Sequence, residues 1–375
     1  MKIDVFEMER FQSEWENRVD CNLSESGVHP MSLGELLDPS ELSALLQQRL
    51  GYVQTNGTPA LREAISALYP GATADHVVVT NGTAEANFAA IWRLVEPGDD
   101  VVVMLPNYMQ IWGIARGLGA TVLPWRLREE RAWAPDVDEL ESLVTPRTRV
   151  IAVCNPSNPT GAILGDEAMR AVVTAAGRYG AWILSDEVYR GSELDGRDCP
   201  SFWGRYERVL VTCGLSKAYG LPGLRIGWVT GPTDTVAELW ARKDYTTIAP
   251  SALSDVLAQK ALRADVRARI LARTRGIVNS NLPVLENWMR ARSSALRLVR
   301  PRAGAIAYPR YSWPINSTRL VERLRDEQSV LVVPGDQFGM DGYLRVGLGN
   351  EPAAFKEALA RVDGVLNTLG PAPGF

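Results

Sequence analysis

Seven short runs of apolar, largely β-branched residues, separated by helix-length segments, restrict this chain to few architectures. The runs are Val77-Val78-Val79-Thr80, Asp100 to Met104, Thr121-Val122-Leu123, Val150 to Val153, Trp182 to Ser185, Val209 to Thr212 and Ile226 to Val229. A strand that is apolar along its whole length has no face to offer to water and must be covered on both sides. Helical patterns fall between most of them, as at Glu85 to Leu94 and Ala168 to Arg178, and Pro59 to Leu68 shows helical spacing behind a favourable first-turn proline. The alternation predicts an α/β fold with a mainly parallel seven-stranded sheet covered by helices.

The pattern changes after Ala249. One long helical stretch, Ser254 to about Arg292, leads to strand candidates at Ala303 to Tyr308, Val330 to Val333 and Leu344 to Val346, with helices at Ser317 to Glu327 and Pro352 to Leu369. This reads as a smaller α+β domain. The expected division is a large domain over 46–265 and a small one over 266–375. Residues 1–45 are expected to pack on the small domain and at the mouth of the site. A length of 375 residues accommodates two cores.

A net charge of −4, with cations scattered along the chain, gives no reason to expect nucleic acid or an anionic membrane as partner. No apolar run reaches the roughly 20 residues that span a bilayer, and the acidic start MKIDVFEMERF does not resemble a signal peptide. Cys21, Cys154, Cys199 and Cys213 form no CxxC pair and read as free thiols of a cytoplasmic protein. With His29 and His76 the only histidines, no metal site is expected.

The segment Gly214-Leu215-Ser216-Lys217-Ala218-Tyr219-Gly220-Leu221-Pro222-Gly223-Leu224-Arg225-Ile226-Gly227 follows a strand. Its small residues allow close approach to the backbone. A lysine among small and apolar neighbours is expected to lose its proton readily enough to form an imine. Arg225 could return to the same pocket and bind a phosphate. Thr80-Asn81-Gly82-Thr83-Ala84-Glu85 joins a strand to a helix, where free N–H groups suit an anion. Asp186 ends an apolar strand, where a carboxylate needs a partner, and Arg345 sits on another.

Together with Leu105-Pro106-Asn107-Tyr108, Asn155-Pro156-Ser157-Asn158-Pro159-Thr160-Gly161 and Tyr343-Leu344-Arg345-Val346-Gly347, these segments resemble the motif series of the class I/II aminotransferases. These are fold-type I enzymes dependent on pyridoxal 5′-phosphate, and the likeness covers nearly the whole chain. It implies that Lys217 holds the cofactor as a Schiff base and moves the proton. Gly82, Thr83, Ala84, Ser216 and Arg225 would hold the phosphate, and Tyr108 would lie over the ring. Asp186 would pair with the pyridine nitrogen, Asn158 and Tyr189 with the phenolic oxygen, and Arg345 with the substrate carboxylate. Gly51-Tyr52 resembles a segment that crosses a homodimer interface, with Tyr52 reaching the neighbouring subunit's phosphate. Amino acids and 2-oxo acids are the implied substrates.

Two departures stand out. Many relatives have a hydroxyl residue three positions before the lysine; here that position is Gly214, leaving Ser216 or a water to substitute. There is also no convincing second arginine for a dicarboxylate. The run Ser24-Glu25-Ser26-Gly27-Val28-His29 is similar to one in the capreomycidine synthase subgroup, which cyclises hydroxylated arginine derivatives, as is the stretch Arg242 to Thr247. Gly27 and His29 would then contact substrate, with His29 an acid or base for elimination, or else an ordinary contact or structural residue. A silent cofactor-binding scaffold is the remaining alternative. The absence of a helix-turn-helix segment and the presence of Lys217, Asp186 and Arg345 together speak against it.

Overall fold

The computed structural model describes residues 2–375. Seven strands form the main sheet: β1 (Val77–Thr80), β2 (Asp100–Leu105), β3 (Thr121–Arg126), β4 (Thr148–Cys154), β5 (Trp182–Asp186), β6 (Val209–Gly214) and β7 (Gly227–Thr230), in the order β1-β7-β6-β5-β4-β2-β3. All pairings are parallel except those of β7, which runs antiparallel to both neighbours. The connection from β6 to β7 carries only a 3-10 turn at Pro222–Leu224 and no crossover helix, so the chain returns in the opposite direction. That connection contains Lys217.

Successive residues of each strand face opposite ways and feed two cores. Val78, Val101, Val103, Leu184 and Leu210 pack with the helix α1 (Thr83–Leu94) on one face. Val77, Val79, Val102, Ile183 and Val211 pack with the helix α2 (Asp166–Tyr179) on the other. The carboxyl ends of β1, β2, β4, β5 and β6 all reach the same edge, where ligands bind in open sheets of this kind.

A third core, in the smaller C-terminal part, gathers Leu282, Leu285, Leu320, Leu324, Phe355 and Leu359 with Cys21 and Leu23. The N-terminal segment joins it through a short parallel pairing of Cys21–Asn22 with Val330–Leu331. The expected single helix from Ser254 is two helices, Ala252–Leu262 and Ala264–Arg290. Arg263 between them is extended, with its guanidinium bonded to Glu41 and Asp265, a tertiary contact that helical periodicity does not encode. The second helix belongs to two of the cores: Ile270 and Leu271 pack into the one on the α2 face of the sheet, Val278 and Leu282 into the third. The expected strand Val330 to Val333 is likewise split, its second half (Val333–Pro334) pairing antiparallel with Leu344–Gly347. Among the described residues no helix is long and apolar enough to cross a membrane.

Candidate active site

At the edge where β1 ends, Gly82 takes φ +89° and α1 begins at Thr83. A Cβ at Gly82 would strike the Arg225 guanidinium, so only glycine admits the arginine there. Arg225 Nη1 also donates to Ser216 Oγ at 3.3 Å. A Cβ on Gly214 would lie 2.6 Å from Thr83 Oγ1, so the threonine hydroxyl occupies that space from the opposite strand–helix junction. Thr83 Oγ1 is buried and has no partner. A helix N-terminus, an unsatisfied hydroxyl and an arginine thus converge on one corner, a cup suited to a phosphate.

Asp186 ends β5 and is buried. Its Oδ2 accepts from Asn87 Nδ2 at 2.9 Å, and its Oδ1 from the Val188 N–H at 3.1 Å. Asn87 is itself fixed by Thr212 Oγ1, which donates to its Oδ1 at 2.7 Å. Burial pushes the Asp186 carboxyl up, and the two hydrogen bonds pull it back. Glu187 faces away from the pocket, its Oε1 accepting from Ser185, Ser201 and the Phe202 N–H.

Lys217 is not a free amine among apolar neighbours. Its Nζ lies 2.7 Å from Glu25 Oε1, an oxygen that also accepts from the Ser26 and Gly27 N–H groups at 2.8 and 2.9 Å. Burial favours the neutral lysine, but the charge and hydrogen bond of Glu25 outweigh it and the pKa is raised. The ammonium in turn holds the Glu25 carboxyl at about 2, against the opposing effect of burial. The readily lost proton expected from local sequence is therefore corrected by a carboxylate 192 residues away. Gly27 is close-packed here, its missing Cβ 3.3 Å from the Ser216 carbonyl oxygen and 3.6 Å from Lys217 Cα.

Beside the lysine, Tyr189 Oη donates to Ser26 Oγ at 2.9 Å. Arg345 is 2% exposed. Its Nη1 donates to Asn158 Oδ1 at 3.2 Å and its Nη2 to the Ser24 carbonyl at 2.6 Å, while Nε has no partner. Burial lowers its pKa. Tyr108 stands opposite, bonded through Oη to Glu9 Oε1 at 2.8 Å and packed on Phe6 with ring centres 4.8 Å apart. These side chains line one cavity of about 310 Å³, which also receives Glu9, Gln12 and Glu16 from the N-terminal segment.

Two of the named residues do not line this chain's cavity. His29 does not line the cavity: its Nε2 is 3.0 Å from Glu351 and its Nδ1 2.8 Å from Arg273 Nη2, so in this chain it is held as a structural contact. Tyr52 is 92% exposed on the surface of the chain. Sequence reasoning passed over Glu25 and Asn87. Asn87 had a visible signal, a polar residue among the alanines of a buried helix face. Glu25 had none, because its partner is fixed only by the fold.

The chain belongs to the aminotransferase class I and II family, whose model matches residues 36–362. It is 36% identical to capreomycidine synthase of Streptomyces vinaceus over 92% of this chain and 90% of that one. It is 30% identical to an arginine–pyruvate transaminase of Pseudomonas aeruginosa, over 86% and 84%. A crystal structure of a PLP-dependent aminotransferase from Streptococcus suis superposes with a TM-score of 0.93 at 32% identity, covering 99% of this chain and all of that one. The protein is a fold-type I, pyridoxal-phosphate-dependent enzyme. The cavity fits that cofactor: the orphaned Thr83 hydroxyl and Arg225 suit a phosphate, and the buried, hydrogen-bonded Asp186 suits a protonated pyridine.

Proposed function

We propose that the enzyme moves an amino group between an L-amino acid and a 2-oxo acid, with Lys217 holding the cofactor and shuttling the proton. The observation that carries this reading is that Lys217, Asp186 and Arg345 line a single cavity. When bound, pyridoxal 5′-phosphate supplies an electron sink for the bond broken at the substrate Cα. Gly82, Thr83, Ala84, Ser216 and Arg225 would hold its phosphate, Tyr108 would cover its ring, Asp186 would pair with its pyridine nitrogen, and Asn158 and Tyr189 with its phenolic oxygen. Arg345, with a free Nε, takes the substrate carboxylate. Once its amine is released, Lys217 Nζ would take the Cα proton as general base and return it as general acid. Glu25 holds the lysine in place and balances its charge.

The test is an absorbance titration of holoenzyme with L-amino acids. Transamination predicts loss of the visible cofactor band, with recovery on adding a 2-oxo acid. No spectral response to any amino acid overturns the reading.

A second reading is elimination and ring closure on a hydroxylated arginine derivative. It is favoured by the likeness to capreomycidine synthase and by Glu25, a second acid–base group 2.7 Å from Lys217 Nζ. A cyclic product formed without the need for an oxo acid would establish it.

We further propose a homodimer in which Tyr52 reaches the partner's phosphate. Its 92% exposure, with Leu46 at 78% and Leu50 at 77%, leaves an apolar surface for a second copy to cover. A monomer in sedimentation equilibrium would contradict this. Four buried, unpaired cysteines support a cytoplasmic, reducing location.

A further inference from the structure

We propose that Glu9 and Glu16, at either end of the N-terminal helix Glu7–Trp15, form the subsite for a cationic side chain, guanidinium or ammonium, on the amino acid this enzyme takes. The inference rests on the reading above, that the cavity binds an amino acid by its carboxylate.

The helix Glu7–Trp15 carries Glu9 and Gln12, and Glu16 caps its end; spacings of three and four residues put all three on one face. All three line the cavity. Gln12 Nε2 donates to the Ser24 carbonyl and hydroxyl at 3.1 and 3.2 Å, which fixes this face against the wall that also holds Arg345.

The charges of the cavity then divide unevenly. Its cations are Lys217, Arg225 and Arg345, and none of them forms an ion pair with the N-terminal helix. Lys217 is paired with Glu25, Arg225 stands at the Gly82 corner, and Arg345 is turned to Asn158 and the Ser24 carbonyl. Asp186 is held by Asn87 and Val188. Glu9 and Glu16 remain, and among the described residues neither forms an ion pair. Glu9 accepts one hydrogen bond, from Tyr108, and the Glu16 carboxylate accepts none from any side chain. Burial pushes the Glu16 carboxyl up, the nearby Glu25 and Glu9 add to it, and the opposing pull of Lys217 does not offset them.

An independent sign of a ligand comes from Arg345, whose Nε is buried without a partner in the same cavity. A substrate with a carboxylate at one end and a cation at the other satisfies both sets of groups. A second carboxylate on the substrate would meet Glu9 and Glu16 at like charge.

Binding is read on the holoenzyme by calorimetry with 2-methylornithine and 2-methylnorvaline, which lack a Cα proton and differ at the side-chain end in the ammonium. The half-reaction is read in parallel by cofactor absorbance with L-arginine, L-citrulline and L-glutamate. The expected result is binding of the cationic ligand tighter by about tenfold or more, arginine half-saturating well below citrulline, and glutamate the poorest. E9Q and E16Q each narrow the gap, and the double variant closes it, while the cofactor absorbance of each resembles that of the parent. Equal binding of cationic and neutral ligands by the parent protein, a preference for glutamate, or a gap unchanged in E9Q/E16Q overturns the proposal. Reaction with neutral and acidic amino acids alone would sink this inference and leave the amino-acid reading intact. Silence towards every amino acid would sink both.

Discussion

Glu25 Oε1 lies 2.7 Å from Lys217 Nζ and is gripped at the same time by two backbone N–H groups. The pair raises the lysine's pKa, yet capture of the cofactor's aldehyde requires the neutral amine. Replacing Glu25 with glutamine removes the charge that stabilises the ammonium, so the rate of cofactor capture by cofactor-free protein should rise at lower pH in E25Q than in the parent. Stopped-flow absorbance from neutral to alkaline pH measures it; superimposable profiles would contradict the assigned cause.

The same pair makes a stability prediction at acid pH. The Glu25 carboxyl falls from its ordinary 4.5 to about 2, so its stabilising contribution is fully present above pH 4.5 and is lost as pH falls towards about 2. In urea unfolding of cofactor-free protein, the parent should exceed E25Q in stability at pH 6, and the difference should shrink at pH 3. A difference that is constant with pH would argue against the ion pair as its source.

Asn87 joins Thr212 to Asp186 inside the sheet. Replacement by leucine leaves a buried carboxylate oxygen and a buried hydroxyl without partners, each costing about 1–3 kcal/mol. It should also raise the Asp186 pKa further and weaken cofactor binding. Urea titration and cofactor dissociation constants read the two effects; an N87L protein with parental cofactor affinity would show that Asp186 does not depend on this support.

Thr83 and Gly214 should behave as a coupled pair. T83A should weaken cofactor binding by about three- to tenfold, the worth of one hydrogen bond. G214S should destabilise the protein, because its Cβ would sit 2.6 Å from Thr83 Oγ1 and 2.9 Å from the Ile226 carbonyl oxygen. The double variant should recover part of each loss. Additive losses would separate the two positions.

R345K should raise the half-saturating amino-acid concentration by roughly 10- to 100-fold, since lysine cannot supply the paired donors of a guanidinium. The cofactor's absorbance before substrate is added should not change. A parental half-saturation value would remove Arg345 from carboxylate binding.

Six of the sheet strands were legible because each is largely apolar along its length; the edge strand β3 was legible from its Val122-Leu123 centre although both its ends are exposed, and the Gly82–Thr83 corner because a strand meets a helix at glycine. The antiparallel course of β7 was not, since direction depends on whether the connection from β6 carries a helix. Asp186 and Arg345 announced themselves as charges on apolar strands, but their partners did not: Asn87 is 99 residues from Asp186, and Asn158 is 187 from Arg345. Glu7 to Trp15 is polar enough to read as a solvated helix, and only its packing brings Glu9, Gln12 and Glu16 to the cavity. His29 is the opposite case: its motif context points to the site, while Glu351 and Arg273 hold its ring outside the cavity, in keeping with the structural one of its readings.

The central claim is that Lys217 holds the cofactor, and it is tested most directly by reducing the holoenzyme with borohydride and mapping the modified peptide by mass spectrometry. The account predicts one cofactor-sized adduct per chain, on Lys217. An adduct on Lys243 or Lys260 instead, or a K217A protein that still acquires it in full, would contradict the account.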